Sequence, residues 1–524
     1  MINWLYIVFL LVILWTMAIM YLAPRISRSK HFGLLGPALM VKSTKNRNII
    51  DRIAKKFPGI LFGKISVVLV IISSIFAVIL LVYGSILSLS IKPSNAPSLS
   101  LLIGLPGINP AIPISYGVVT IIAAVAIHEI FHGVVARRQG IKLSSVGALF
   151  FIIPLGAFVE PDEKEITSAD PVIRRRVIAA GPGINIVIAI ISLIIVTFLL
   201  FPAATPTHQG LYVESTTGGS AAAAFIPTGT ELISYGNSTV NYSGNALLNM
   251  TMDSVLIPGH NYTAEISKGG TLSKVSVPAG IVIASVIEGL PAYNASVPVG
   301  SIILSVDGNV AYNDSVLSSY LDGVAPGSNV NMSVDVYNTT THTYTIKTYA
   351  ITTTSLYYYY SKYDPSSNSQ SYMNKSFVGI TLGYLGIGGL TLSGMQAILS
   401  GSQVFTVPWN GILEFIALPF AYLYPVPSSL ASLFTTPFSP LVFWGVVNVF
   451  YWLFWWDLLL AITNALPLFV FDGGQFFRDT LYIAGKKERL KFLRSDANVR
   501  KITTFVGFLV LFLFLWEIIV PRIV

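Results

Sequence analysis

His128, Glu129 and His132 form a His-Glu-x-x-His segment, and its spacing dictates its chemistry. Two histidines four residues apart share one helix face, so both imidazoles can reach a single metal ion while Glu129 meets the water beside it. Zinc hydrolysis is the chemistry such a set performs. A zinc centre of that kind needs a third protein ligand. The chain has no cysteine, so that ligand must be nitrogen or oxygen. Acidic residues at matching positions are the candidates. Asp472 follows the apolar stretch Leu441–Ala465 and lies six residues before Arg478. Asp457 lies fifteen residues earlier, inside that stretch, and reads as a side chain hydrogen-bonded within a helix bundle. Glu160 sits beside Asp162, Glu163 and Glu165 and reads as part of a solvated charge run.

The elements that carry these residues are unusually apolar. Of 524 residues, 53% are hydrophobic and only 11% charged, against roughly 25% charged in ordinary globular domains. Six runs approach the ~20 apolar residues that cross a bilayer: Ile2–Leu22, Ile65–Ile91, Tyr116–Ala136, Val177–Phe201, Leu441–Ala465 and Ile502–Val520. The His-Glu-x-x-His segment ends the third. Ionisable groups placed there cost several kcal/mol unless they are used, so the cluster reads as functional. The first run has no basic residue before it and reads as a retained anchor.

Charge orients the spans. Lys and Arg crowd the stretch from Arg25 to Lys64, the flanks at Arg137–Lys142 and Arg174–Arg176, and the stretch from Arg478 to Lys501. The positive-inside bias makes these cytoplasmic and puts Glu129, eight residues before Arg137, roughly 12 Å inside that boundary. Pro202–Ser376 holds only five lysines and all nine Asn-x-Ser/Thr sequons, so it is expected outside. The formal net charge of +8 clusters beside the spans and argues for a lipid surface, with no nucleic acid as partner.

The outer stretch repeats at an offset of about 70 residues. Gly210-Leu-Tyr-Val and a Gly229 strand recur as Gly280-Ile-Val-Ile and a Gly300 strand ending in Asp307-Gly-Asn. Each copy resembles a PDZ domain, roughly 206–278 and 279–350. The resemblance implies peptide binding by strand addition, but Tyr212 and Val282 stand where the carboxylate-binding loop has its second glycine. A steric filter is the alternative. Residues 351–376 read as a linker, and the proline-broken 377–436 as interfacial or re-entrant helices that do not cross. Val146–Val159, apolar and interrupted by Gly147, Pro154 and Gly156, reads as a membrane-dipping hairpin whose edge holds an extended substrate.

Three separated motifs together resemble the site-2 proteases, the intramembrane zinc metalloproteases of family M50. They are the His-Glu-x-x-His at 128–132, Ala180-Gly-Pro-Gly-Ile-Asn185, and Asn464-x-x-Pro467 with Asp472-Gly-Gly. The resemblance implies one Zn2+ per chain held by His128, His132 and Asp472, with Glu129 as catalytic acid/base. It also favours Asn185 and Asn464 as groups that hold substrate backbone. The expected architecture is a multi-pass α-helical membrane protein of about six transmembrane helices. Residues 1–64 form an anchor and basic loop, and the membrane core spans 65–205 and 437–524. An extracytoplasmic α+β region of two tandem PDZ-like domains is inserted between its halves. The expected activity is cleavage of single-pass membrane proteins within the bilayer, near the cytoplasmic side, as in regulated intramembrane proteolysis. A metal transporter would instead string polar ligands along the spans at different depths, and a non-catalytic PDZ scaffold would not need Glu129.

Overall fold

The computed structural model describes residues 4–26, 28–29, 31–43, 47–208, 210–236, 238–239 and 256–523. The chain forms two compact units, one of residues 1–199 with 445–524 and one of residues 200–444.

The first unit is mainly helical. Its elements are α1 (Trp4–Ile26), β1 (Phe32–Leu35), β2 (Ala38–Ser43), α2 (Arg47–Lys56), α3 (Gly59–Leu87), α4 (Ile114–Arg138), β3 (Leu143–Phe151), β4 (Ile153–Pro161), α5 (Pro171–Ile194), α6 (Pro440–Ala465, completed from the other unit), α7 (Asp472–Ala484) and α8 (Asp496–Ile519). Among the described residues, five helical stretches are long and apolar enough to cross a membrane: Gly59–Ser90, Ile114–Arg138, Pro171–Ala203, Pro440–Ala465 and Asp496–Arg522. The expected sixth, in α1, begins outside the described residues, and its apolar part Leu10–Ile26 is shorter. Large apolar side chains point away from the protein: Ile72 is 59% and Phe505 68% exposed. Water would penalise such surfaces, whereas hydrocarbon does not.

Helix α5 packs against α3, α4 and α7. Glycine permits the close approach on one side, where a side chain at Gly183 would enter Ser66 of α3. Beside α4 lies an antiparallel four-stranded sheet in the order β1-β2-β3-β4. The expected hairpin is there as β3 and β4, turning at Ile152 with φ 64°. The basic N-terminal loop, to which composition assigned no structure, supplies β1 and β2. Lys42 pairs in register with Gly147, whose lack of a side chain leaves room for the Val41 carbonyl. Strand β4 packs on α4, with Val159 filling the space beside Gly133.

The second unit holds two antiparallel sheets of the same connectivity. One runs Thr271–Pro278, Asn261–Lys268, Glu231–Tyr235, Leu211–Thr216 and Ile387–Thr391; the other runs Thr343–Thr352, Asn329–Asn338, Ile302–Val306, Ile281–Val286 and Ile380–Tyr384. A short strand pairs the middle of each, Ser238–Thr239 and Asn309–Val310. One buried apolar cluster includes Val213 and Leu232 from the first sheet and Ile283, Ile303 and Val334 from the second.

The boundary expected at 376/377 is corrected here. Ile380–Tyr384 and Ile387–Thr391 are the closing strands of the two sheets rather than interfacial helices. Four glycines between 383 and 389 erase the alternation that marks a strand. At Gly389 the missing side chain admits the Tyr212 carbonyl. The stretch read as a linker also carries a helix, Leu356–Tyr363, and pairs Thr354–Ser355 with Ser376–Phe377. Beyond Thr391 come short helices, of which Pro408–Ala417 spans 10 residues. Three sequons, at Asn237, Asn241 and Asn249, lie outside the described residues.

Candidate active site

Helix α4 presents His128 and His132 one turn apart toward α5. Gly181 of α5 faces both rings, and a side chain there would collide with both Nε2 atoms. The third group comes from far along the chain. Helix α6 ends at Ala465, and Pro467 prevents its continuation. The chain then doubles back and starts α7 at Asp472. Gly473 and Gly474 make that return possible, because a Cβ on either would strike the carbonyls of Ala465, Leu466 or Leu468.

The result is a tight trio. Asp472 Oδ2 lies 3.1 Å from His128 Nε2 and 3.2 Å from His132 Nε2, and the two Nε2 atoms are 3.1 Å apart. Ligands on a tetrahedral zinc at bond lengths near 2.0–2.1 Å stand roughly 3.3 Å from one another, so these donor atoms have the spacing of a shared ion. Among the described residues no other cluster of three His, Asp or Glu groups has this closeness. The histidines are also set in the ligating form. His132 Nδ1 donates to the Val177 carbonyl at 2.8 Å, which fixes its tautomer and leaves Nε2 free to bind.

Asn185 corrects one expectation. It is fully buried, with its amide 3.3 Å from His128 Nδ1, and is therefore shielded from any substrate. Among the described residues its Oδ1 has no partner. Turning the amide over lets Oδ1 accept the Nδ1–H of His128, which frees Nε2 of that ring as well. Asn185 thus sits against the His128 ring, on the side away from Asp472. Asn464 lies half-buried near the end of α6, and among the described residues no hydrogen bond joins it to the trio.

Two acidic alternatives fall elsewhere. Asp457 is fully buried in α6, and among the described residues neither carboxylate oxygen has a hydrogen-bond partner, contrary to the expected bundle contact. Glu160 is not a freely solvated charge. It pairs with Lys42 at 2.8 Å and with the Ser145 hydroxyl, tying β4 to β2 and β3. Partial burial pushes its carboxyl up, but Lys42 and Ser145 outweigh that and hold it below the ordinary value.

Glu129, His132 and Asp472 open onto a cavity of about 350 Å³. Val159 and Pro161 of β4 form one part of its wall, and Arg174, Gln475 and Arg478 another. Arg174 is committed to Asp479, which it grips through Nε at 3.0 and 2.8 Å. Gln475 and Arg478 escaped the sequence reading. Their spacing of three and six residues after Asp472 was the available signal, since it puts all three along one side of a helix.

The model for peptidase family M50 matches residues 116–514, which takes in both histidines, Glu129 and Asp472. The chain belongs to peptidase family M50. M50 is a zinc-dependent metalloprotease family, and the donor set described above is compatible with that ion. With its apolar helices, this M50 chain is an integral membrane protein. Among curated proteins it resembles an uncharacterised protein of Methanocaldococcus jannaschii, 32% identical over 170 residues. That match covers 32% of the M50 chain and 43% of the relative, so the chain spans less than half of the relative's length.

Proposed function

We propose that this M50 chain is an intramembrane zinc metalloprotease that hydrolyses peptide bonds in the transmembrane segments of single-pass membrane proteins. The carrying observation is the meeting of His128, His132 and Asp472 within 3.2 Å, beside a cavity that Glu129 also lines. His128, His132 and Asp472 would hold one Zn2+, which when bound supplies Lewis-acid charge at the scissile carbonyl. Glu129 takes a proton from the attacking water and returns one to the leaving amine. Asn185 and the Val177 carbonyl keep both imidazoles turned toward the ion. A helical substrate must unwind before attack, and its freed backbone needs partners. Strand β4 ends its sheet and contributes Val159 and Pro161 to the cavity, which supports a role in clamping the extended segment.

The basic flanks support a site near the cytoplasmic side, with the inserted sheet-rich region outside. There the two repeated sheets act as PDZ-like modules that restrict which substrates reach the membrane core. Strands Leu211–Thr216 and Ile281–Val286 are each covered by a closing strand, which favours a steric filter over strand addition at those two edges.

Purified protein incubated with single-pass substrates tests the reading, with cut sites mapped by mass. Glu129→Gln is expected to lower turnover by about 10²- to 10⁴-fold while one zinc per chain remains bound. Cleavage that persists in Glu129→Gln and in chelator rules the mechanism out.

A further inference from the structure

Helix α7 does more than deliver Asp472. It runs antiparallel along α5: Asp472 stands by the histidines that face Gly181, Asp479 grips Arg174, and Lys486 reaches Asp170 at 3.1 Å. Residues 475 and 478 therefore lie progressively farther from the histidines, toward the start of α5. Both line the same cavity as Glu129 and His132. Both are exposed, and among the described residues neither the Gln475 amide nor the Arg478 guanidinium has a hydrogen-bond or ion-pair partner. The neighbouring cation in that wall, Arg174, is spent on the fully buried Asp479. Arg478 is thus the uncommitted cation of the cavity. Gln475, one turn closer to the metal ligands, offers an amide that can both donate and accept.

We infer that Arg478, with Gln475 beside it, is a specificity-determining site that selects an acidic side chain on the substrate, a few residues from the scissile bond. The span follows from the helix. Six residues of α7 separate Asp472 from Arg478, about 9 Å along the axis. An extended substrate rises roughly 3.3 Å per residue, so about three residues cover that distance. A guanidinium suits this task because it stays charged and offers a planar fork that carboxylates match. Gln475 serves the peptide group in between, whose N–H and C=O lose their helical partners once the segment unwinds. This rests on the proteolytic reading of the same cavity, and the test separates the two.

A set of peptides carrying a single Asp, Asn or Lys at each position from five before to five after the cut is offered to wild type and to Arg478→Gln, Arg478→Glu and Arg478→Lys. Cleavage is measured as kcat/KM. Binding of the same peptides to Glu129→Gln and its double variants is followed by fluorescence anisotropy. Wild type and Arg478→Lys are expected to favour Asp by roughly fivefold, the scale of a partly exposed ion pair, at one position two to four residues from the cut. Arg478→Gln abolishes the preference, and Arg478→Glu transfers it to Lys at the same position. A charge preference in binding that follows residue 478, without cleavage by any form, would uphold the site and sink the protease reading. Identical rankings across all four residues, in cleavage or in binding, would overturn the site.

Discussion

At Gly181 the decisive feature is a missing atom. Both imidazole Nε2 atoms lie where a side chain at this position would project, so the space for an ion exists because residue 181 has none. Sequence inspection offers the weaker explanation that a glycine in a membrane helix lets neighbours approach. Only the placement of the two rings shows that the space lies between the donor atoms. Alanine is the better helix former by about 1 kcal/mol, which offsets part of the cost of displacing the two rings in Gly181→Ala. The expected outcome is a protein that still folds, with a zinc content falling from one per chain toward zero and a melting point close to that of chelator-treated wild type, read by elemental analysis beside a melting curve. Full zinc occupancy in that variant would refute the account of Gly181. Asn185 shows the reverse gap between type and place. The family resemblance favoured it as a group that holds substrate, but it is buried against His128, which supports the positioning role proposed above.

Among the elements, the sheet beside α4 owes half its strands to a segment that precedes the family match at residue 116. Strands β1 and β2 cover the edge of β3, and Lys42 fastens Glu160 on β4. The pair is partly exposed, so its own worth is below about 1 kcal/mol. Its consequence is positional, since β4 carries Val159 and Pro161 into the cavity. Replacing residues 32–43 by a Gly-Ser linker is expected to leave zinc binding intact and to lower kcat/KM by roughly 10-fold or more, because an ångström of misplacement at a reacting group is costly. Steady-state kinetics beside zinc content checks this; unchanged kinetics would confine β1 and β2 to a structural role. The hairpin of β3 and β4 was legible from its glycine-broken apolar run. Strands β1 and β2 were not, because the Lys and Arg on either side of them mark a membrane flank and draw attention away from two short apolar runs.

For the molecule as a whole, the division into two units separates chemistry from the repeated sheets, and the second unit holds an ionisable group of its own. Glu231 is fully buried, and among the described residues neither carboxylate oxygen has a hydrogen-bond partner; His208 Nδ1 stands 3.7 Å away. The corresponding strand of the second sheet begins with Ile302, an apolar residue. Burial pushes the Glu231 carboxyl up from 4.5 to about 7. The folded state thus holds this proton more tightly than the unfolded chain. Its stabilising contribution is complete below pH ~4.5 and is lost as the pH rises through ~7. Glu231→Gln is therefore expected to exceed wild type in stability by about 3 kcal/mol at pH 8, with the gap closing as the pH falls to 4. Unfolding followed by circular dichroism across that range measures it, and a constant difference would contradict the assigned ionisation.

Local patterns settled much of this protein in advance. Apolar length, charge flanks and an i, i+4 histidine pair act within a few turns of helix, so the spans, the reactive segment and the repeat were all readable along the chain. Asp472, 344 residues from His128, was already marked by its motif, but how its carboxylate reaches both rings depended on a helix ending at Ala465 and a glycine pair turning the chain back. The closing strands at Ile380–Tyr384 and Ile387–Thr391, and the cation at Arg478, were likewise decided by the fold. Glycine-rich strands carry no period, and the place of a lone surface arginine follows only from what packs around it.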